Sequence, residues 1–273
     1  MRYDLAQLAR ERGKRRTVAL RPIAPRRSAE LGLERIIRMV LAEGERSKAL
    51  IMLSAEVTAA RHTQDMGLGE TFRGMRDAMA RLIASARGMV DRLLRIEAVR
   101  HDDRWLESVN AAIGVDLKAV VQQRSVEPLI ELATAAAVAL ITGLSDEVAK
   151  RVETAVIDML TQGKSTRDIA KAFDAQFGFG KRRAKLIARD QAAKFNGNLN
   201  RIRQQEAGVT EYIWWTVHDE RVRGNPEGRY PGAKPSHWAR HGKTFRWDEP
   251  PSDGHPGQPI NCRCIPRPVI RAE

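Results

Sequence analysis

Met75, Met79, Leu82, Ile83, Ala86, Val90, Leu93 and Leu94 recur every three or four residues, while Arg76, Arg81 and Arg87 fall off that stripe. This spacing places the apolar side chains on one face of a long α-helix, and a face of that length must be buried against other helices. The same rhythm extends to both sides. Leu33, Ile36, Ile37, Val40 and Leu41 form a helical face, and Leu50, Leu53, Val57 and Ala60 predict its continuation after a break near Gly44. A further helix is expected from Ser125, with Pro128 in the first turn, where no amide hydrogen is required. The Ala-rich run from Leu132 to Leu140 suits its interior. Ser145, followed by Asp146 and Glu147, reads as the cap of another helix. That helix would bury Val148, Val152, Ala155, Val156 and Met159 and stop at Gly163. Aromatic residues make up only 5% of the chain, so the apolar mass is aliphatic and suits helix packing better than a large sheet.

Ser165 with Asp168 three residues on resembles a capping box. The run Gly178-Phe179-Gly180 predicts a break, with a second helix over 181–207. Two helices around a short turn outline a helix-turn-helix, and equally an ordinary helical hairpin. At residue 211 the pattern changes. EYIWWTV alternates, with Tyr212, Trp214 and Thr216 on one side and Ile213, Trp215 and Val217 on the other, as in a strand. Most of the prolines and both cysteines follow, so the remainder is expected to be loops and short strands anchored by Trp238, Phe245 and Trp247. The fold class is therefore α+β, mainly α: a helical N-terminal region, then a small loop-rich C-terminal domain.

The formal net charge is +13, and the field of such a chain attracts polyanions. Residues 1–28 form a basic leader containing Arg10, Arg12, Lys14, Arg15 and Arg16, interrupted by Pro22 and Pro25. It reads as a solvated, partly disordered arm, or as one that orders on DNA or an acidic surface. Lys181, Arg182, Arg183, Lys185 and Arg189 crowd the expected start of the 181–207 helix. They make a second candidate for DNA contact, directed to phosphates and independent of sequence. The alternative for both groups is an ordinary solvated face. No run of about 18 apolar residues is apparent, so no membrane partner is expected. The N-terminus lacks the apolar core of a secretory signal.

Cys262 and Cys264 are separated by one residue, too close for an unstrained disulfide, which fits a reducing compartment. With His241 and His255 they form a candidate zinc set, because thiolate and imidazole are the preferred zinc ligands and four close a structural site. His237 is the alternative ligand. In the plainer reading the histidines bond to loop backbone and the cysteines are small buried apolar groups. His218 and Asp219 near Arg223 and His241 could in principle activate water. No complete nuclease motif accompanies them, and no catalytic residue is assigned.

Three segments, WWTVHDERVR, SHWARHGKTF and PPSDGHPGQPINCRCIPRPV, follow one another in this order. The order resembles the C-terminal half of the phage Mu F-like minor head proteins. The family's positions fall on Trp215, Asp219, Arg223, His241, Gly242, His255, Pro256, Cys262, Arg263 and Cys264. Upstream, Gly163-Lys164-Ser165, Asp168-Ile169-Ala170, Arg183-Ala184 and Ile187-Ala188-Arg189 resemble the family's helical lead-in. The segment GNPEGRYPGAKPS between Arg223 and His237 is longer than the pattern, which leaves His237 and His241 as alternatives for one position. Charge sets off a basic arm over 1–28 and helical pattern a region over 29–144, a candidate for portal or capsid binding, while the resemblance, which covers about residues 145–268, implies a Mu F-like head domain over 145–273. It also implies a non-enzymatic minor capsid protein of a tailed bacteriophage, active in head morphogenesis and in DNA packaging or ejection. The implied partners are the portal protein or major capsid protein and double-stranded DNA. The implied location is the virion head, with host cytoplasm during assembly. A metal-dependent nuclease and a freestanding zinc-stabilised DNA-binding protein are the rival readings.

Overall fold

The computed structural model describes residues 3–61, 66–121 and 123–272; the first two residues of the basic leader lie outside these. The helices are α1 (Leu5–Glu11), α2 (Arg27–Arg46), α3 (Lys48–Arg61), α4 (Met66–Ile113), α5 (Glu127–Thr161) and α6 (Thr166–Glu206). The strands are β1 (Thr17–Ala19), β2 (Glu211–Trp215), β3 (Thr244–Arg246) and β4 (Ile265–Arg271). The fold is α+β and mainly α, as the periodicities predict. The chain divides into two compact units that are discontinuous in sequence: residues 1–29, 94–131 and 189–273, and residues 30–93 and 132–188. The long helices α4, α5 and α6 each contribute residues to both units.

The second of these units is helical. Leu33, Ile36, Ile37, Val40 and Leu41 of α2 and Met75, Met79, Ala86 and Val90 of α4 are buried, as their spacing predicts. α3 differs. Leu50 is 62% and Leu53 59% exposed, and Ile51 and Ala55 are buried in their place. Both i, i+3 and i, i+4 sets exist in this short segment, and tertiary packing selects the second.

Two expected breaks are absent. α5 runs through Gly143 and Ser145, whose hydroxyl is buried without a hydrogen bond among the described residues. Gly143 costs a helix only about 1 kcal/mol relative to Ala, and Ile141, Leu144 and Val148 share one buried face across it. α6 likewise runs through Gly178 and Gly180. A Cβ on Gly180 would lie 2.9 Å from Val148 Cγ2 and 3.2 Å from Leu41 Cδ1. Glycine serves close helix approach there, and the helix-turn-helix outline disappears with the turn. Lys181, Arg182, Arg183, Lys185 and Arg189 consequently lie inside α6 and not at a helix start. By length and composition alone α5 is apolar enough to cross a membrane, which corrects the expectation drawn from apolar runs. A third of its most apolar stretch is buried by the protein itself.

The other unit contains the sheet. All pairings are antiparallel, in the order β1-β4-β2-β3. Tyr212 and Trp214 point to the buried side of β2, as the alternation predicts. Pro266 and Pro268 pair with Trp214 and Tyr212. β1 joins β4 only from Val269 onward, so the prolines, which lack an amide hydrogen, sit where one side of β4 has no strand.

The N-terminal leader is structural, which corrects the solvated-arm reading. Asp4 caps α1 by accepting from the amides of Ala6 and Gln7. Leu5, Ala9, Leu20 and Ile23 join Trp105, Val109, Ile113, Val209 and Ile270 in one core. Asn196 and Asn200 donate to the Ile23 carbonyl at 2.9 and 3.0 Å. The leader's cations stay outside: Arg10, Arg12, Lys14, Arg15 and Arg16 are all exposed.

Candidate metal centre

The loops after β2 are tied together by the motif residues. Asp219 accepts the backbone amide of Arg221 at 3.0 Å and the guanidinium of Arg263. Arg223 donates to the Ile260 carbonyl at 2.9 Å. Two loops that lie far apart in sequence are thereby clamped. The cysteines leave the second loop in a turn, with the Cys262 amide bonded to the Pro259 carbonyl at 2.9 Å. Asn261, at φ 57, donates its amide to Asp190 of α6 at 2.8 Å. The loop seats on α6 where Gly197 meets it. A Cβ on Gly197 would lie 2.8 Å from the Pro256 carbonyl oxygen.

Cys262 and Cys264 are both buried and free. Residues two apart in extended chain share a face, so both thiols point inward while Arg263 reaches out to Asp219. His237 enters from the other loop, just ahead of a short 3-10 turn at Trp238–Arg240. Gly224, at φ 75, makes this entry possible, because a Cβ there would collide with Ser236. His237 Nδ1 lies 3.5 Å from Cys262 Sγ and 3.7 Å from Cys264 Sγ. His237 Nε2 pairs with Asp253 Oδ2 at 2.9 Å, and Arg240 holds the other carboxylate oxygen at 2.6 Å. The Arg240 guanidinium lies over the Trp214 ring at 4.7 Å, and that ring meets His237 edge-on at 5.0 Å.

The electrostatics favour one thiolate. A hydrogen bond from Cys264 is the largest influence holding the Cys262 thiol well below its usual range, aided by His237 and the Gly257 amide. The bond to Cys262 and then burial push Cys264 upward. Burial opposes charge on His237, yet Cys262 and Asp253 together outweigh it and raise its pKa.

The candidate zinc set is therefore brought together only in part. Cys262 and Cys264 converge, and the histidine beside them is His237. His255 bonds Tyr212 Oη through Nδ1 at 2.9 Å and packs on Trp247 at 4.8 Å. His241 accepts the Thr216 amide at Nδ1 (3.1 Å) and faces His218 Nε2 across 3.1 Å, with Trp215 and Trp238 alongside. The resemblance pointed to His241 because the family's histidine has a glycine close behind it. Gly242 in fact makes a turn, at φ 77, with its amide bonded to the Trp214 carbonyl. Asp253, which orients His237, went unnoticed; its one signal was a carboxylate two residues ahead of His255. Of the basic residues on α6, Lys181 is paired with Glu45 at 2.8 Å, whereas Arg182, Arg183 and Lys185 are exposed and Arg189 is half-buried.

A relative described as an uncharacterized protein from Haemophilus influenzae (strain ATCC 51907 / DSM 11121 / KW20 / Rd) is 31% identical over 159 residues. The alignment covers 58% of this chain and 33% of that protein, so the chain spans about a third of its relative's length. No solved structure matches the chain. The model for the family described as Phage Mu protein F like protein matches residues 150–266, which hold α6, β2, β3, the clamped loops and the His237–Cys262–Cys264 cluster. Over that segment the chain is similar to the Phage Mu protein F like family.

Proposed function

We propose that this chain is a minor head protein of a tailed phage, acting at the portal or inner capsid in head morphogenesis and in DNA packaging or ejection. The match to the Mu F-like family over residues 150–266 carries this reading. The fates of the motif residues support a structural role. Asp219 is engaged by Arg263, Arg223 by a backbone carbonyl, and His255 by Tyr212. These groups hold loops together, whereas a nuclease needs a carboxylate or imidazole free to hold water or metal against a phosphate.

Portal or major capsid protein would be the protein partner, and double-stranded DNA a non-specific one. A net charge of +13 releases counterions when it meets phosphate. Arg12, Lys14, Arg15, Arg16, Arg182, Arg183 and Lys185 are exposed and would make such contact. The test is quantitative mass spectrometry of purified particles induced from a host carrying this gene. A fixed low copy number per head, co-purifying with portal protein, is expected. Absence from particles whose portal and major capsid proteins are detected would refute the reading. Metal-dependent cleavage of plasmid DNA that His241→Ala abolishes would establish the nuclease instead.

A further inference from the structure

His237, Cys262 and Cys264 each offer one ligand atom, and the three atoms lie within 4.8 Å of one another. We propose that they hold one Zn2+ ion, with water at the fourth corner of a tetrahedron. Zinc sits ~2.3 Å from thiolate sulfur and ~2.0 Å from imidazole nitrogen, so a tetrahedral site sets the sulfur–nitrogen edge at about 3.5 Å. The two edges measured here are 3.5 and 3.7 Å.

The surroundings are those of a ligand site. Donation from His237 Nε2 to Asp253 leaves Nδ1 with its lone pair directed at the sulfurs, the tautomer that a metal requires. Arg240 anchors Asp253 in turn. The Gly257 amide points at Cys262 Sγ from 3.5 Å, as amides do toward metal-bound thiolates. Trp214 Nε1 is buried with no hydrogen-bond partner among the described residues. It belongs to the same packed cluster as Cys264, where a thiolate would be an acceptor. Two thiolates also balance the charge of the ion, so the core would hold no net charge. The ion would join the loop carrying His237 to the turn entering β4, in a region whose own apolar core is small.

Full-length protein prepared without chelator from zinc-supplemented cells should contain about one zinc per chain by plasma mass spectrometry. Replacement with Co2+ should give thiolate-to-cobalt charge transfer in the near ultraviolet and the intense visible bands of a tetrahedral site. Cys264→Ser and His237→Ala should lose most of the metal, and His241→Ala should keep it. Chelation of the wild type should lower its melting temperature, and added Zn2+ should restore it. Folded wild type that carries no zinc and develops no cobalt spectrum would overturn the site, whatever the variants do. Full zinc retention by Cys262→Ser/Cys264→Ser would do the same.

Discussion

Arg203 of α6 is wholly buried, and its Nε and Nη2 donate to the two carboxylate oxygens of Asp102 of α4 at 2.6 and 2.7 Å. Its Nη1 donates to Ser125 and Glu206, each at 2.7 Å. Asp102→Ala removes the two-pronged partner and leaves a guanidinium in the core with much of its charge uncompensated. Breaking a buried pair in this way costs about 3–5 kcal/mol. At roughly 2–4 °C per kcal/mol for domains of 150–250 residues, the melting temperature should fall by about 6–20 °C. Calorimetry and urea unfolding of the wild type, Asp102→Ala, Asp102→Leu, Arg203→Met and Asp102→Leu/Arg203→Met would measure this. The double variant should be more stable than the sum of the single changes predicts, because it removes both charges and fills the space with apolar groups. A loss under about 1 kcal/mol for Asp102→Ala, or strict additivity in the cycle, would show that the pair does not hold α4 to α6.

His101 supplies a pH test. It is fully buried, its Nδ1 lies 3.8 Å from Asp102 Oδ1, and burial outweighs that carboxylate to lower its pKa. The unfolded chain then takes up a proton that the folded chain refuses. Stability should be complete above about pH 6.5 and fall as the pH drops below it. Burial lowers His241 and His255 in the same direction, so His101→Phe should reduce the loss of melting temperature between pH 7.5 and 5.5 without abolishing it. Identical losses in both proteins would refute the assignment. Gly180→Leu, which forces side-chain atoms toward Val148 and Leu41, should destabilise the helical unit by about 1–3 kcal/mol in urea unfolding. Changing Arg12, Lys14, Arg15 and Arg16 together to Gln should reduce the slope of log K against log salt for duplex DNA by about 3–4 if all four meet phosphate. Its effect on the melting temperature should be small, since all four are exposed. Removing residues 1–24 should instead unfold much of the protein, because Leu5, Ala9, Leu20 and Ile23 go with them.

The helices were legible wherever one apolar face was long. Met75 to Leu94 could satisfy its stripe in only one rotation, and the structure uses that rotation. Leu50 and Leu53 failed because α3 is short and offers two faces of similar character. Gly180 and Ser145 misled for a common reason. Each weakens a helix by an amount on the order of 1 kcal/mol, and each is set against packing that the local sequence does not contain. Leu41 and Val148 lie far along the chain from Gly180, whose conformation they help decide.

The His237–Cys262–Cys264 cluster divides along the same line. The two cysteines declared themselves, since their spacing forbids an easy disulfide and places both thiols on one side of an extended chain. Choosing among the histidines needed the shape of the loop between Arg223 and His241. Gly224 admits Ser236, the next residue is His237, and a 3-10 turn then sends His241 away toward Thr216 and His218. Spacing along the chain cannot rank His237 against His241, because four residues of turn separate inward from outward. Chemistry can rank them. The histidine that a metal would take is the one whose second nitrogen already has a carboxylate, and Asp253 lies beside His237. Asp253→Ala should therefore weaken Co2+ binding by about 10–100-fold while both thiolates remain, seen as an unchanged charge-transfer band reached only at higher cobalt concentration. An unaltered affinity would mean that Asp253 serves Arg240 alone.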